Sequence, residues 1–262
     1  MRCVVTCLAL LLVGCGASAP TTSRRVDSSG VDHAVVYLST ECTGILIGPR
    51  RVLTAGHCME DPGPYRVRVD GAVGREEIAV DTCSVHPAAY GEPRGCGEGT
   101  APTAGARDLA MLQLRVAVRG ARPLRVALAP PSLSEAGFAG RSVRLVGWDR
   151  RPRLVGPLAR RSGQNRVVQV LQAALVTEPV ESGGFSTLIG DSGGPLLLEV
   201  GGEEQVVGVL FGGVSAGSSR SVYATTFDSE NARWIVSAAG PEWGRDLASH
   251  NADERFGDRP LP

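Results

Sequence analysis

Gly190-Asp191-Ser192-Gly193-Gly194-Pro195 sets a serine between an aspartate and two glycines, then a proline and the apolar run Leu196-Leu197-Leu198. Glycines on both sides give the backbone access to left-handed angles that other residues avoid. The turn is therefore tight, and the hydroxyl stands clear of its own main chain. The same turn can aim successive backbone N–H groups at one point, which is what a developing oxyanion needs. Gly, Asp and Ser are equally the residues of an ordinary surface turn. The choice depends on whether the chain supplies a base and an orienting carboxylate elsewhere.

Outward from this turn, the chain reads as short apolar runs cut by turn residues. Residues 142–146, 167–176, 195–200, 205–211 and 221–226 form one series; 34–38, 43–47, 51–54, 65–69, 77–80 and 109–114 form an earlier one. Gly48-Pro49, Asp61-Pro62-Gly63-Pro64 and Gly201-Gly202 lie among the breaks. Many short strands at close spacing, with no long helices alternating, predict an all-β sandwich or barrel pair. The 34 Gly and 17 Pro, with few aromatics, agree with that. One helix is expected at 228–239, capped by Asp228-Ser229, favoured by Glu230 in its first turn and stopped by Gly240-Pro241. Trp234 and Ile235 are expected to pack it onto the second half, and the polar tail at 241–262 to be loosely ordered.

A chain of 262 residues suits one or two compact domains with a full core. Basic and acidic residues balance at 27 each, so bulk charge gives no reason to expect a nucleic-acid partner. Every basic residue is Arg, which reads as genome composition rather than function. Met1-Arg2 and the apolar run 4–13 form an export signal too short to span a bilayer comfortably. Leu12-Val13-Gly14-Cys15 resembles the bacterial lipobox, whose cysteine becomes the acylated first residue of the mature chain. Residues 1–15 then form a lipoprotein signal peptide, and the small, polar stretch 16–30 a flexible tether. Gly16 after the cysteine, in place of Asp, points by analogy to the outer membrane, on either its periplasmic or its outer face. Ordinary secretory cleavage after Ala17-Ser18-Ala19 is the competing reading, disfavoured by Pro20 directly behind it.

Cys3, Cys7 and Cys15 belong to the export segment, leaving Cys42, Cys58, Cys83 and Cys96 in the folded part. An even number in an exported chain predicts two disulfides, with three pairings open. The absence of a Cys-x-x-Cys pair argues against zinc. Arg141, Arg144, Arg150, Arg151, Arg153, Arg160, Arg161 and Arg166 crowd one stretch. They read either as a basic face for anionic lipid or polysaccharide or, preferred here, as solvated loops with local ion pairs.

Of four histidines, His57 stands out, in Val52-Leu53-Thr54-Ala55-Gly56-His57-Cys58, where an apolar strand leaves the core beside a cysteine. A lone histidine is more often a surface or capped residue than a base, and His33, His86 and His250 keep that reading. The orienting carboxylate should be flanked by apolar residues, and Asp108 opens Leu109-Ala110-Met111-Leu112. The plainer alternative is a strand-start aspartate paired to Arg107.

Taken together, Cys42-Thr43-Gly44, Thr54-Ala55-Gly56-His57-Cys58, Asp108-Leu109-Ala110, Gly147-Trp148 and 190–195 resemble, in order and rough spacing, the trypsin-like serine proteases of the chymotrypsin family. The resemblance spans about residues 34–239. It implies two packed six-stranded antiparallel β-barrels with a C-terminal helix, within a domain at 31–240: barrel 1 about 31–125, barrel 2 about 126–227. By the same resemblance Ser192 is the nucleophile, His57 the general base and Asp108 its orienter. The Gly190 and Ser192 amides form the oxyanion hole, Cys42 pairs with Cys58, and Cys83 pairs with Cys96. The implied substrate is a protein or peptide, cut by a monomer without cofactor or metal.

Three departures qualify this. Relatives are usually activated when a new N-terminal Ile or Val forms an ion pair with the aspartate before the nucleophile, here Asp191. No Ile-Val-Gly-Gly segment occurs, and Arg24-Arg25-Val26 is a poor substitute, so Asp191 is expected to be satisfied internally. The residue at the pocket base is Ser186 rather than Asp, with Gly213 and Ser221 as walls, which predicts uncharged residues before the cut. Phe211 stands where the family usually has a serine touching the buried aspartate. A catalytically silent relative that binds a protein at the same cleft is the rival reading.

Overall fold

The computed structural model describes residues 24–25, 32–90, 95–98, 105–131, 137–149, 159–180, 184–214 and 218–243. Cys15, the export segment, Arg150, Arg151, Arg153, His250 and most of the tail lie outside them. The first strand, β1 (Arg24–Arg25), falls inside the stretch read as a tether. Six strands then close into a barrel: β2 (Val35–Leu38), β3 (Thr43–Gly48), β4 (Arg51–Thr54), β5 (Arg66–Gly71), β6 (Gly74–Val85) and β7 (Ala110–Leu114), in the order β2-β3-β4-β7-β6-β5. A short helix, α1 (Pro87–Tyr90), follows β6.

β8 (Arg125–Val126) crosses to the second half. There β9 (Ser142–Asp149), β10 (Ala159–Val170), β11 (Ala174–Pro179), β12 (Pro195–Val200), β13 (Glu203–Gly213) and β14 (Ser221–Thr225) follow. The pairings β9–β10–β11–β14–β13–β12, with β12 returning to β9, close a second six-stranded antiparallel ring. β1 is added outside β10 and β8 runs parallel to β13. The expected all-β pair of barrels is present.

Local chemistry explains where the elements begin and end. β3 is buried along its whole length, within a core cluster that draws on both barrels. The apolar run 167–176, expected as one strand, is a hairpin: β10 ends at Val170, and Leu171 donates to the Ala174 carbonyl across the turn. No Gly or Pro marks that turn, so periodicity alone ran through it.

The final helix, α2 (Ser229–Ala239), starts where Asp228 accepts from the Glu230 and Asn231 amides and ends at Gly240. Its docking goes beyond expectation. Ile235 is buried in a core cluster that draws on both barrels, and Trp234 lies against His86 of the first half, with ring centroids 5.1 Å apart. Arg107, offered as a partner for Asp108, instead binds Asp228, Glu230 (2.9 Å) and Asn231 (2.9 Å). The described start of the tail is ordered as well: Trp243 is buried and donates to the Ile47 carbonyl at 2.6 Å. The helix thus straps barrel 2 back onto barrel 1. None of the helices among the described residues is long and apolar enough to cross a membrane.

Candidate active site

His57 sits in a 3₁₀ turn (Gly56–Met59) one residue after β4, and Asp108 lies two residues before the first residue of β7, the strand paired to β4. Adjacent strand ends therefore bring the imidazole and the carboxylate together. Asp108 is 1% exposed. One of its oxygens accepts from the His57 backbone N–H at 2.8 Å, and the other lies 2.5 Å from His57 Nδ1. Among the described residues His57 supplies both bonds; Phe211, on β13, is half-buried and packs against the core cluster shared by the two barrels.

Burial alone would push the His57 imidazole down. The hydrogen bond and charge of Asp108, with Glu60 nearby, outweigh it and raise the imidazole above its ordinary value. The Cys42–Cys58 disulfide ties β3 to the His57 turn, and Cys83–Cys96 forms as well. Cys42, Cys58 and His57 bring two sulfurs and an imidazole within 4.8 Å of one another. The sulfurs are bonded to each other, so the trio offers no thiolate to a metal.

Ser192 and His57 line one cleft of about 260 Å³ that also takes in Gly190, Glu60 and Asp61. The Ser192 loop is pinned from both sides. Its glycines at 190 and 193 have φ of 104° and 82°, and a Cβ on Gly193 would lie 2.1 Å from Thr54 Oγ1. The Asp191, Gly193 and Gly194 amides donate to the carbonyls of Leu188, Leu210 and Asp191. Those of Gly190 and Ser192 donate to no acceptor among the described residues.

Thr43 was not singled out in the sequence, yet it joins the two barrels here. Its amide donates to the Ser192 carbonyl (2.8 Å), its hydroxyl to the Gly190 carbonyl (2.7 Å), and its Oγ1 accepts from the Trp148 amide (3.2 Å). The Cys-Thr-Gly spacing was the only hint.

Asp191 is 1% exposed and has an internal partner. Arg161 Nη2 donates to Asp191 Oδ2, which also accepts from the Leu188 amide at 2.6 Å. On its other side the carboxylate lies against β9, where a Cβ on Gly147 would fall 2.1 Å from Oδ1. That close approach explains the glycine of Gly147-Trp148.

The expected pocket residues are less tightly gathered. Ser186 offers its carbonyl to Arg161 Nη1 at 3.1 Å. Gly213 and Ser221 are cross-strand partners, and Ser221 Oγ lies 2.8 Å from Thr187 Oγ1. None of the three lines the cleft that holds Ser192.

The arginine cluster resolves into internal pairs. Arg144 binds Asp32 (2.7 Å) and Glu204 (2.5 Å), Arg160 reaches the Asp32 and Asp70 carbonyls, and Arg166 binds Glu178 (2.9 Å). The described members therefore make ion pairs and bonds within the fold rather than a free basic face; the ion pairs of the preferred reading are present, but Arg144, Arg160, Arg161 and Arg166 lie on strands β9 and β10 rather than in solvated loops.

The fold is shared with a human heparin binding protein. The two superpose with a TM-score of 0.62 at 19% identity, over 84% of this chain and 97% of the other. The profile of the family described as Trypsin matches residues 21–235, most of the chain. This protein belongs to the trypsin family.

Proposed function

We propose that the chain is a serine endopeptidase working through an acyl-enzyme. Ser192 Oγ attacks the scissile carbonyl while His57 takes its proton and later gives it to the leaving amine. Asp108 holds the imidazole and stabilises its cation. The two unspent amides, Gly190 and Ser192, receive the oxyanion. The observation that carries this reading is the His57–Asp108 pair, with Nδ1 at 2.5 Å, opening on the same cleft as Ser192. No cleavage step is needed, because Asp191 is already paired. Uncharged side chains are preferred before the cut: Ser186 replaces a carboxylate, and the nearest fixed charge to its carbonyl is the Arg161 guanidinium.

The test is hydrolysis of peptides with apolar, small or basic residues before the cut, with Ser192→Ala as control. Apolar or small residues should be cut faster than Arg or Lys; the reverse order would reject the pocket reading.

A second reading has two observations in its favour. Among the described residues no hydrogen bond joins Ser192 Oγ to the His57 ring, and no hydroxyl supports Asp108, whose partners are the His57 amide and Nδ1. Under it the chain is a silent family member that binds a protein at this cleft, and no peptide is cut.

We also propose that the protein is exported and anchored through acylated Cys15. Cys15→Ser should then move it from the membrane to the soluble fraction; unchanged fractionation would favour ordinary secretion or another anchor.

A further inference from the structure

We propose that Arg161 is a positioning residue. It is a built-in cation that holds the loop at residues 186–192 in working shape, taking the place of the N-terminal amine that cleavage frees in other family members. The proposal rests on the peptidase reading of Ser192.

Four observations converge on it. Arg161 projects from β10 and is only 5% exposed. Its Nη2 donates to Asp191, beside the nucleophile, and its Nη1 donates to the Ser186 carbonyl at 3.1 Å. One guanidinium therefore clamps both ends of the loop that runs to Ser192. Its carbon lies 4.2 Å from the Phe185 ring centroid, so stacking fixes the plane of the fork. Finally, β1 pairs antiparallel with β10 at this point, Arg24 with Ser162 and Arg25 with Arg161. The segment carrying the chain's one candidate cleavage site lies along the strand edge, and the position beside Asp191 is already filled.

The physical consequence is a buried carboxylate with a permanent counter-charge. Removing one member of such a pair leaves an uncompensated buried charge, which is strongly unfavourable. Asp191 would then turn towards water and draw the adjacent Gly190 and Ser192 amides with it. The loss should fall on the step that develops the oxyanion rather than on substrate binding.

The substitution also leaves a pH signature. An α-amine loses its proton near pH 8 and a lysine near about pH 10, whereas arginines stay charged throughout the range in which proteins stay folded. Among the described residues, the titratable group facing the pair from the neighbouring strands is Tyr223 on β14. Burial first, then the Asp191 charge, keep its phenol protonated well above the ordinary tyrosine range.

The experiment uses the full protein with its N-terminus verified by intact mass. It follows wild type, Arg161→Lys and Arg161→Gln with an apolar peptide substrate from about pH 6 to pH 10.5, alongside hydrogen–deuterium exchange. Uncut wild type should be active, with a rate plateau that shows no loss near pH 8. Arg161→Lys should stay active and gain an alkaline limb near about pH 10. Arg161→Gln should keep KM, lose roughly 100-fold or more in kcat, and exchange faster at residues 186–194 while the barrel strands are unchanged.

An active form starting at Val26 or Val31, a wild-type rate that falls with a midpoint near pH 8, or a folded Arg161→Gln with normal kcat and normal exchange would each overturn the proposal. Should Arg161→Gln fail to fold, the Arg161→Lys profile decides. A wild type that cuts nothing removes the peptidase reading. Faster loop exchange in Arg161→Gln would then still support the clamp, and unchanged exchange would overturn it too.

Discussion

At the scale of single residues, the His57 imidazole carries the clearest functional demand. In the proposed mechanism it must be neutral to accept the Ser192 proton, yet Asp108 and Glu60 favour its cation and lift it above the ordinary histidine value near 6.5. Activity should therefore rise with pH along a limb centred above about 6.5. Glu60→Gln removes part of the lift and should move that limb to lower pH; an unmoved limb would mean Glu60 is electrostatically silent.

Thr43→Val keeps the shape but deletes both the bond to the Gly190 carbonyl and the one accepted from the Trp148 amide. A loss of about 1–3 kcal/mol is expected from denaturant melts, with a fall in kcat because the same carbonyl belongs to the oxyanion loop. Asp108 was legible because its neighbours are apolar. Thr43 and Arg161 were not, because what defines them is a partner 147 and 30 residues away, with no local pattern to announce it.

At the scale of elements, α2 is the best-specified piece. Its Asp228 cap, Gly240 stop and length were readable, since caps are local chemistry. Its docking was not, since an apolar face does not name the surface it meets; Trp234 meets His86, and Arg107 closes the corner. The β10–β11 hairpin was lost for a related reason, as its turn uses Gln172 and Ala173 in place of the usual turn formers.

Burial raises the Asp228 carboxyl, but the Asn231 amide, Arg107 and the Glu230 amide outweigh that and hold it below the ordinary aspartate value. With the folded value depressed, the helix strap is stabilised above about pH 4 and loses that support as pH falls through the folded value. Asp228→Ala should cost about 1 kcal/mol from the cap alone, and its melting temperature should depend less on pH between about 3 and 5 than that of wild type.

At the scale of the whole molecule, two closed barrels meet across the site, and Trp148 is the wedge between them. It is 1% exposed, donates its indole N–H to the Val35 carbonyl at 3.1 Å, and is flanked by Tyr37, Arg68 and Arg160. Trp148→Ala should lower stability by about 3–5 kcal/mol. Activity should suffer beyond that loss, because the same strand backs Asp191 through Gly147. The all-β class was readable from strand spacing and punctuation, and the choice of a barrel pair over a sandwich only from the family resemblance of the motifs. The way the barrels share one cleft was readable only through motif order, since contacts between halves leave no periodic trace.

The central claim is that Ser192 is an activated nucleophile and the cleft an active site. The most direct measurement is intact mass after exposure to a fluorophosphonate probe, on wild type, Ser192→Ala and His57→Ala. The prediction is one adduct per wild-type chain, mapped to Ser192 and formed without prior N-terminal cleavage, none on Ser192→Ala, and labelling slowed by orders of magnitude on His57→Ala. A folded wild type that stays unlabelled, or labels as fast without His57, would contradict it.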